Sequence, residues 1–435
     1  MRVSLYSLLL VCIGLYSCTD STDQSNDLFV KVSNGYLEGE YNSDSSVVVF
    51  KGIPYAAPPV NELRWRAPQP LSDWYDTLKC QDFPPSPIQN KPVPFSMWSE
   101  EFITPAEPLS EDCLYLNIWA PSGQSSAQSI ADKPVFVWIH GGAFVSGSGA
   151  CPIYDGEEFA KQGIVFVSIN YRLGVFGFMA HPQLSLESTI NSSGNYGLMD
   201  QIVALRWVKQ NINKWGGDST QVTIAGQSAG GSSVEALIFS PLAKGFFNQA
   251  IVQSGSLLSK KMDHLKHAEE NGLKISKIAD YKNITQLREL SADSLLVVAN
   301  RLPFGFFQPI IDKYIIPRDP NKMLSEGNFN DVTMMSGWVT GDSEISSFKA
   351  KDKEGFMEYV RESHSDSEVD FYKLFPADND SLLVKSQNKL ALLEFKIKAD
   401  FNLASKLEND IYLYEYDYVP TDKPGFPNYG AFHTS

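Results

Sequence analysis

Short apolar runs recur along this chain between polar and glycine-bearing stretches. Val47 to Phe50, Leu114 to Trp119, Val135 to Ile139, Ile164 to Ile169 and Val222 to Ala225 each read as a strand. Helical patterns fall between them. The clearest is Asp200 to Asn213, where Ile202, Leu205, Val208 and Ile212 share one face. Later strands are expected at Thr333 to Ser336 and Ile411 to Tyr418. Strands that alternate with helices predict an α/β fold, a mostly parallel central sheet with helices on both faces. Ligands on such a sheet bind at the carboxyl ends of the strands. No internal repeat, long low-complexity tract or clean second-domain boundary interrupts the pattern.

One junction in that pattern carries chemistry. Gly226-Gln227-Ser228-Ala229-Gly230 follows the strand-like run Gln221 to Ala225 and precedes an apolar helix bearing Val234, Ala236, Leu237 and Ile238. A serine hydroxyl is a weak nucleophile unless it is held exposed beside a base, and flanking glycines permit the sharp turn that does so. Ser228 is therefore the candidate nucleophile. His140-Gly141-Gly142-Ala143-Phe144, directly after the strand Val135 to Ile139, is a loop of small residues whose backbone N–H groups can approach a ligand closely.

Trp215-Gly216-Gly217-Asp218, Val222-Thr223-Ile224 and the Ser228 segment together resemble the nucleophile signature of the type-B carboxylesterase and cholinesterase family. Glu111-Asp112-Cys113-Leu114-Tyr115-Leu116-Asn117 resembles its second signature. Gly52 to Ala56, Leu63-Arg64-Trp65, Asn170 to Gly174 and Asn195 to Gln201 extend the likeness, which runs from about residue 28 to the last residue. The resemblance implies the α/β-hydrolase fold, in which a catalytic serine is followed along the chain by an acid and then a histidine. Four histidines follow Ser228. His264 and His267 lie among Lys260, Lys261 and Lys266, and His364 lies in the polar run Glu362 to Asp366, so these three read as solvated. The segment Tyr429 to Ser435 is similar to the family's catalytic-histidine segment, which makes His433 the expected base.

For the acid, Gly337 to Phe348 resembles the family segment in which an acidic pair precedes a later aromatic. The family has Asp directly followed by the catalytic Glu, whereas Ser343 here separates Asp342 from Glu344. Glu344 is favoured by its distance to Phe348 and by its separation from the serine (344 − 228 = 116), with Asp342 as the alternative. By the same likeness the oxyanion donors are the N–H groups of Gly142, Ala143 and Ala229. Gly141 shapes the turn, and His140 is a loop-packing residue. Gln227 stands where the family often carries Glu, so a hydrogen bond can persist there without the charge. The family's disulfide maps onto Cys80 and Cys113, and closing that loop would stabilise by ~3–4 kcal/mol in an oxidising compartment. The chain ends two residues after His433 while the family continues with further strand and helix, so the domain is expected to be incomplete at its C-terminal end.

Composition adds compartment and excludes some partners. The 435 residues carry a net charge of −15, which disfavours nucleic acid and anionic membrane surfaces as partners. Residues 1–17 read as an export signal, with Arg2 ahead of the apolar stretch Leu8 to Leu15. Leu15-Tyr16-Ser17-Cys18 resembles a bacterial lipoprotein box, with Cys18 as the lipidated residue, residues 18–27 as a polar tether and residues 28–435 as the hydrolase domain. The expected location is a membrane-anchored lipoprotein, otherwise periplasmic or secreted. The expected activity is hydrolysis of a small-molecule carboxylic ester by a Ser228–Glu344–His433 triad through an acyl-enzyme, without metal or organic cofactor. The rival readings are a non-catalytic cholinesterase-like binding or adhesion module, and a thioesterase or amidase on the same triad.

Overall fold

The computed structural model describes residues 27–123, 132–344, 350–363, 368–419, 421 and 428–434. The export signal, Cys18, His364 and Phe348 lie outside the described residues. Nine strands form the main sheet: β1 (Glu40–Tyr41), β2 (Val47–Pro54), β3 (Tyr115–Pro121), β4 (Lys133–Ile139), β5 (Val165–Ile169), β6 (Gly217–Gln227), β7 (Gln249–Gln253), β8 (Thr333–Val339) and β9 (Ile411–Tyr416). Their order across the sheet is β9-β8-β7-β6-β4-β5-β3-β2-β1. Every pairing from β9 to β5 is parallel, and the pairings of β3 with β5, β2 with β3 and β1 with β2 are antiparallel. The expected mostly parallel sheet is thus present.

Alternation across the pleat gives the sheet two apolar faces. Val135, Val137 and Ile139 of β4 join Val165, Val167 and Ile169 of β5 and Val222 and Ile224 of β6 in the principal core. Phe136 and Trp138 point the other way, onto a second cluster with Val47, Val49, Trp119 and Phe166. Each such buried aliphatic side chain stabilises by ~1.5–3 kcal/mol relative to exposure, which favours the all-parallel centre being covered on both sides.

Several elements differ from the sequence reading. The helix expected from Asp200 begins earlier and is α1 (Tyr196–Asn211). Asn195 before it has φ 51°, and its side-chain amide pairs with both the O and the N–H of Ile310. The chain therefore enters the helix at a clamp to a distant loop, which no local capping pattern announces. Strand β7 and a separate sheet of Phe29–Val32, Gly35–Glu38 and Thr77–Lys79 were not anticipated. The disulfide expected between Cys80 and Cys113 is not formed: both are buried free thiols. Burial pushes the Cys80 thiol up to about 12 and the Cys113 thiol well above its ordinary value, so both remain neutral among apolar neighbours.

Candidate active site

The parallel strands β4, β6 and β8 deliver their carboxyl ends to one edge of the sheet, and the candidate groups hang from those ends. Strand β6 stops at Gln227, and α2 (Ala229–Phe239) starts at once, leaving Ser228 between them with φ 58° and ψ −121°. A non-glycine residue held there costs of order 1–3 kcal/mol. Its N–H donates to Gln253 O at 2.8 Å and its O accepts from Ser232 N–H at 2.9 Å, so strand and helix both fix the elbow. The flanking glycines are sterically required. A Cβ on Gly226 would lie 2.4 Å from the Gly230 carbonyl carbon, and one on Gly230 would lie 2.0 Å from Ile139 O. Ser228 is left partly exposed.

Of the two candidate acids, Asp342 is the one that meets His433. Asp342, fully buried, sets Oδ1 2.6 Å from His433 Nδ1, while its Oδ2 accepts the Val339 N–H at 3.1 Å. Glu344, the expected triad acid, is exposed at the end of the 3-10 turn Thr340–Glu344. At three residues per turn, side chains two apart point about 120° from one another. With Asp342 turned inward, Glu344 is thereby turned out. The turn is pinned to the histidine segment: Gly341 N–H donates to Ala431 O at 2.8 Å. His433 is held from its other side as well, since Gln227 Nε2 donates to His433 O at 2.6 Å. Gln227 thus ties the position before Ser228 to the His433 segment, a contact the sequence did not disclose. Ser228 Oγ forms no hydrogen bond to His433, a spacing commonly tightened when substrate binds.

The loop after β4 stands against the elbow. A Cβ on Gly141 would lie 2.6 Å from Gln227 O and 3.2 Å from Ser228 Cβ. Gly142, Ala143 and Phe144 have φ of 108°, 55° and 62°. This left-handed run is closed by Val145 N–H and Ser146 N–H, both donating to Gly142 O at 3.0 Å. Among the described residues, the N–H groups of Gly142, Ala143 and Ala229 donate to no protein acceptor. Three free donors around a serine are what a developing oxyanion requires.

His140 is fully buried and stacks on Tyr171 with ring centroids 4.4 Å apart. Burial pushes its imidazole down to about 4, against a smaller opposing pull from Gly141 O at 2.9 Å. It stays neutral and packs the loop. His267 is exposed and paired with Asp263, as the solvated reading expected.

Two cavities open in the fold, neither of them lined by Ser228, Asp342 or His433. One of about 350 Å³ is walled by Val145, Leu173, Phe176, Leu302 and Phe304. The other, of about 310 Å³, is bounded by Phe178, Leu257 and Met262. Gly305, Phe306 and Phe307 line both. Among the described residues no cluster of His, Cys, Asp and Glu is arranged to hold a metal ion.

Comparison with known proteins places the whole chain. Para-nitrobenzyl esterase of Bacillus subtilis is 34% identical over 420 residues, covering 92% of this chain and 81% of that protein. Fumonisin B1 esterase of Sphingopyxis macrogoltabida is 36% identical over 358 residues, and the match covers 80% of this chain but only 63% of that protein's length. A solved PNB esterase structure superposes with a TM-score of 0.77 at 30% identity, over 94% of this chain and 82% of the other. A Geobacillus stearothermophilus carboxylesterase gives 0.76 at 31% identity, over 91% and 81%. These neighbours identify the sheet as that of the α/β-hydrolase esterases. Residues 26–435 match the family described as the carboxylesterase family, and the chain belongs to it.

Proposed function

We propose that the protein hydrolyses carboxylic esters through an acyl-enzyme formed on Ser228, with His433 as general base and Asp342 as the acid that orients it. The observation that carries this reading is the double hold on His433, by Asp342 at Nδ1 and by Gln227 at the main-chain O. With Nδ1 committed to a carboxylate, Nε2 is the nitrogen left to accept the Ser228 proton. Ser228 Oγ adds to the carbonyl carbon, and the oxyanion takes up the N–H groups of Gly142, Ala143 and Ala229. Collapse expels the alcohol, protonated by His433 Nε2, and leaves the acyl group on Oγ. Water then gives its proton to His433 and attacks the acyl carbon, releasing the acid and restoring Ser228. Asp342 balances the imidazolium in both halves.

Hydrolysis of p-nitrophenyl butyrate by the purified chain, compared with Ser228→Ala, tests the reading. Equal rates from the two proteins would remove it. In this reading the enzyme works outside the cytoplasm, tethered through Cys18. Metabolic labelling with radioactive palmitate, equal in the chain and in Cys18→Ser, would rule the tether out.

A further inference from the structure

The least expected group in the fold is Lys396, whose side chain is fully buried. It lies on a π turn, Leu393–Ile397, between α3 (Asp380–Leu392) and α4 (Lys398–Ala404). Its Nζ donates to Asp400 Oδ1 at 2.5 Å and to Ser336 Oγ at 2.8 Å, and stands 3.4 Å from Glu235 Oε1. Ser336 Oγ in turn donates to Asp400 Oδ1 at 2.8 Å. Glu235 Oε2 accepts the Leu257 N–H at 2.6 Å and the Ser256 hydroxyl at 3.2 Å.

Each partner sits on an element that carries part of the active site. Glu235 is on α2, seven residues beyond Ser228, and its Oε2 grips the loop after β7. Gly255 of that loop abuts the nucleophile: a Cβ there would lie 2.1 Å from Ser228 O. Ser336 is on β8, whose end bears the Asp342 turn, and α3 packs against that turn. The residue beside Lys396, Phe395, lays its ring edge-on to His433, with centroids 6.4 Å apart at 70°. One ammonium therefore ties together the helix of the nucleophile, the strand of the acid and the turn that backs the base.

Stability alone does not account for this arrangement. Taking a lysine and two carboxylates out of water costs several kcal/mol per ion, and apolar replacements of equal volume are often no less stable. Asp400 Oδ2 is even left without a hydrogen-bond partner. Burial holds the Glu235 carboxyl above its ordinary range in spite of Lys396. A π turn, moreover, is a local departure from helical winding that recurs at functional sites.

We infer that Lys396 is a positioning residue: by bridging Glu235, Ser336 and Asp400 it fixes the π turn so that Phe395 holds the His433 ring in line with Ser228. The inference rests on the triad reading above, so its test includes a readout that needs no turnover. The variants are Lys396→Met and the charge-free triple Glu235→Gln/Lys396→Met/Asp400→Asn in the full chain. The triple variant restores folding should the single one unfold. Two quantities are measured. One is kcat and KM on p-nitrophenyl butyrate. The other is the far-downfield proton resonance of His433 Nδ1–H, assigned by its loss in His433→Ala. A misplacement near 1 Å costs about 100-fold in rate. The triple variant is accordingly expected to melt as the wild type does, with kcat lowered about 10- to 100-fold, KM within about threefold, and the resonance shifted or broadened away. A triple variant with wild-type kcat and an unmoved resonance would overturn the inference. If the wild type hydrolyses no ester, the esterase reading falls by itself, and the resonance alone decides the role of Lys396.

Discussion

Asp342 Oδ1 and His433 Nδ1, 91 positions apart in sequence, meet at 2.6 Å, with Asp342 buried and His433 13% exposed. A buried carboxylate in that place fixes the tautomer that leaves Nε2 free as base. Asp342→Asn should therefore lower kcat by about 10⁴-fold, while Glu344→Gln stays within about threefold of wild type. Steady-state kinetics on one p-nitrophenyl ester decides it. The opposite ranking would return the role to Glu344.

Gln227 donates through Nε2 to the main-chain O of His433 at 2.6 Å and is adjacent to Ser228. Gln227→Glu removes that donor and sets a carboxylate against the carbonyl oxygen, so the His433 segment loses this hold. In the proposed reading kcat on a p-nitrophenyl ester should fall for Gln227→Glu, and a wild-type kcat would mean that this hydrogen bond does not position His433.

The gap between the oxyanion loop and the elbow leaves no room for a methyl group at Gly141. Gly141→Ala must push the loop away from Gln227 O and Ser228 Cβ, carrying the donors of Gly142 and Ala143 with it. Losing an oxyanion donor costs about 10²–10³-fold in kcat. That loss, with a lowered melting temperature because the clash is with backbone, is the expected result.

His140 links pH to stability. Its folded value is near 4, against about 6.5 for an unfolded histidine. Between those values the unfolded chain binds a proton that the folded chain refuses. Stability is thus fully present above pH 6.5 and falls as the pH drops towards 4, by about 3 kcal/mol in total. His140→Phe keeps an aromatic ring in place and cannot titrate. Urea unfolding at pH 7 and pH 4.5 should show a smaller difference for this variant than for wild type.

Much of this was legible in the sequence because it is local. The elbow at Ser228 and the small-residue loop at Gly141 are encoded in consecutive residues, and the central strands in apolar runs. What escaped depends on geometry that spacing does not encode. Asp342 and Glu344 are separated by one residue, and only how the turn docks on the histidine segment, through Gly341 N–H to Ala431 O, decides which faces His433. Strand β7 is five residues with a glutamine at each end, too short and too polar-edged to stand out. Lys396 lies between Glu394 and Lys398, in a stretch where nothing local marks a buried charge. Its burial is set by Glu235, 161 positions away in sequence. The Cys80–Cys113 bridge came from family likeness alone, and the structure keeps two thiols.

The central claim is that Ser228 is an activated nucleophile, and intact mass after exposure to a fluorophosphonate tests it most directly. One adduct on the wild-type chain and none on Ser228→Ala is the predicted result. An unmodified wild-type chain, or an adduct that persists in Ser228→Ala, would contradict it.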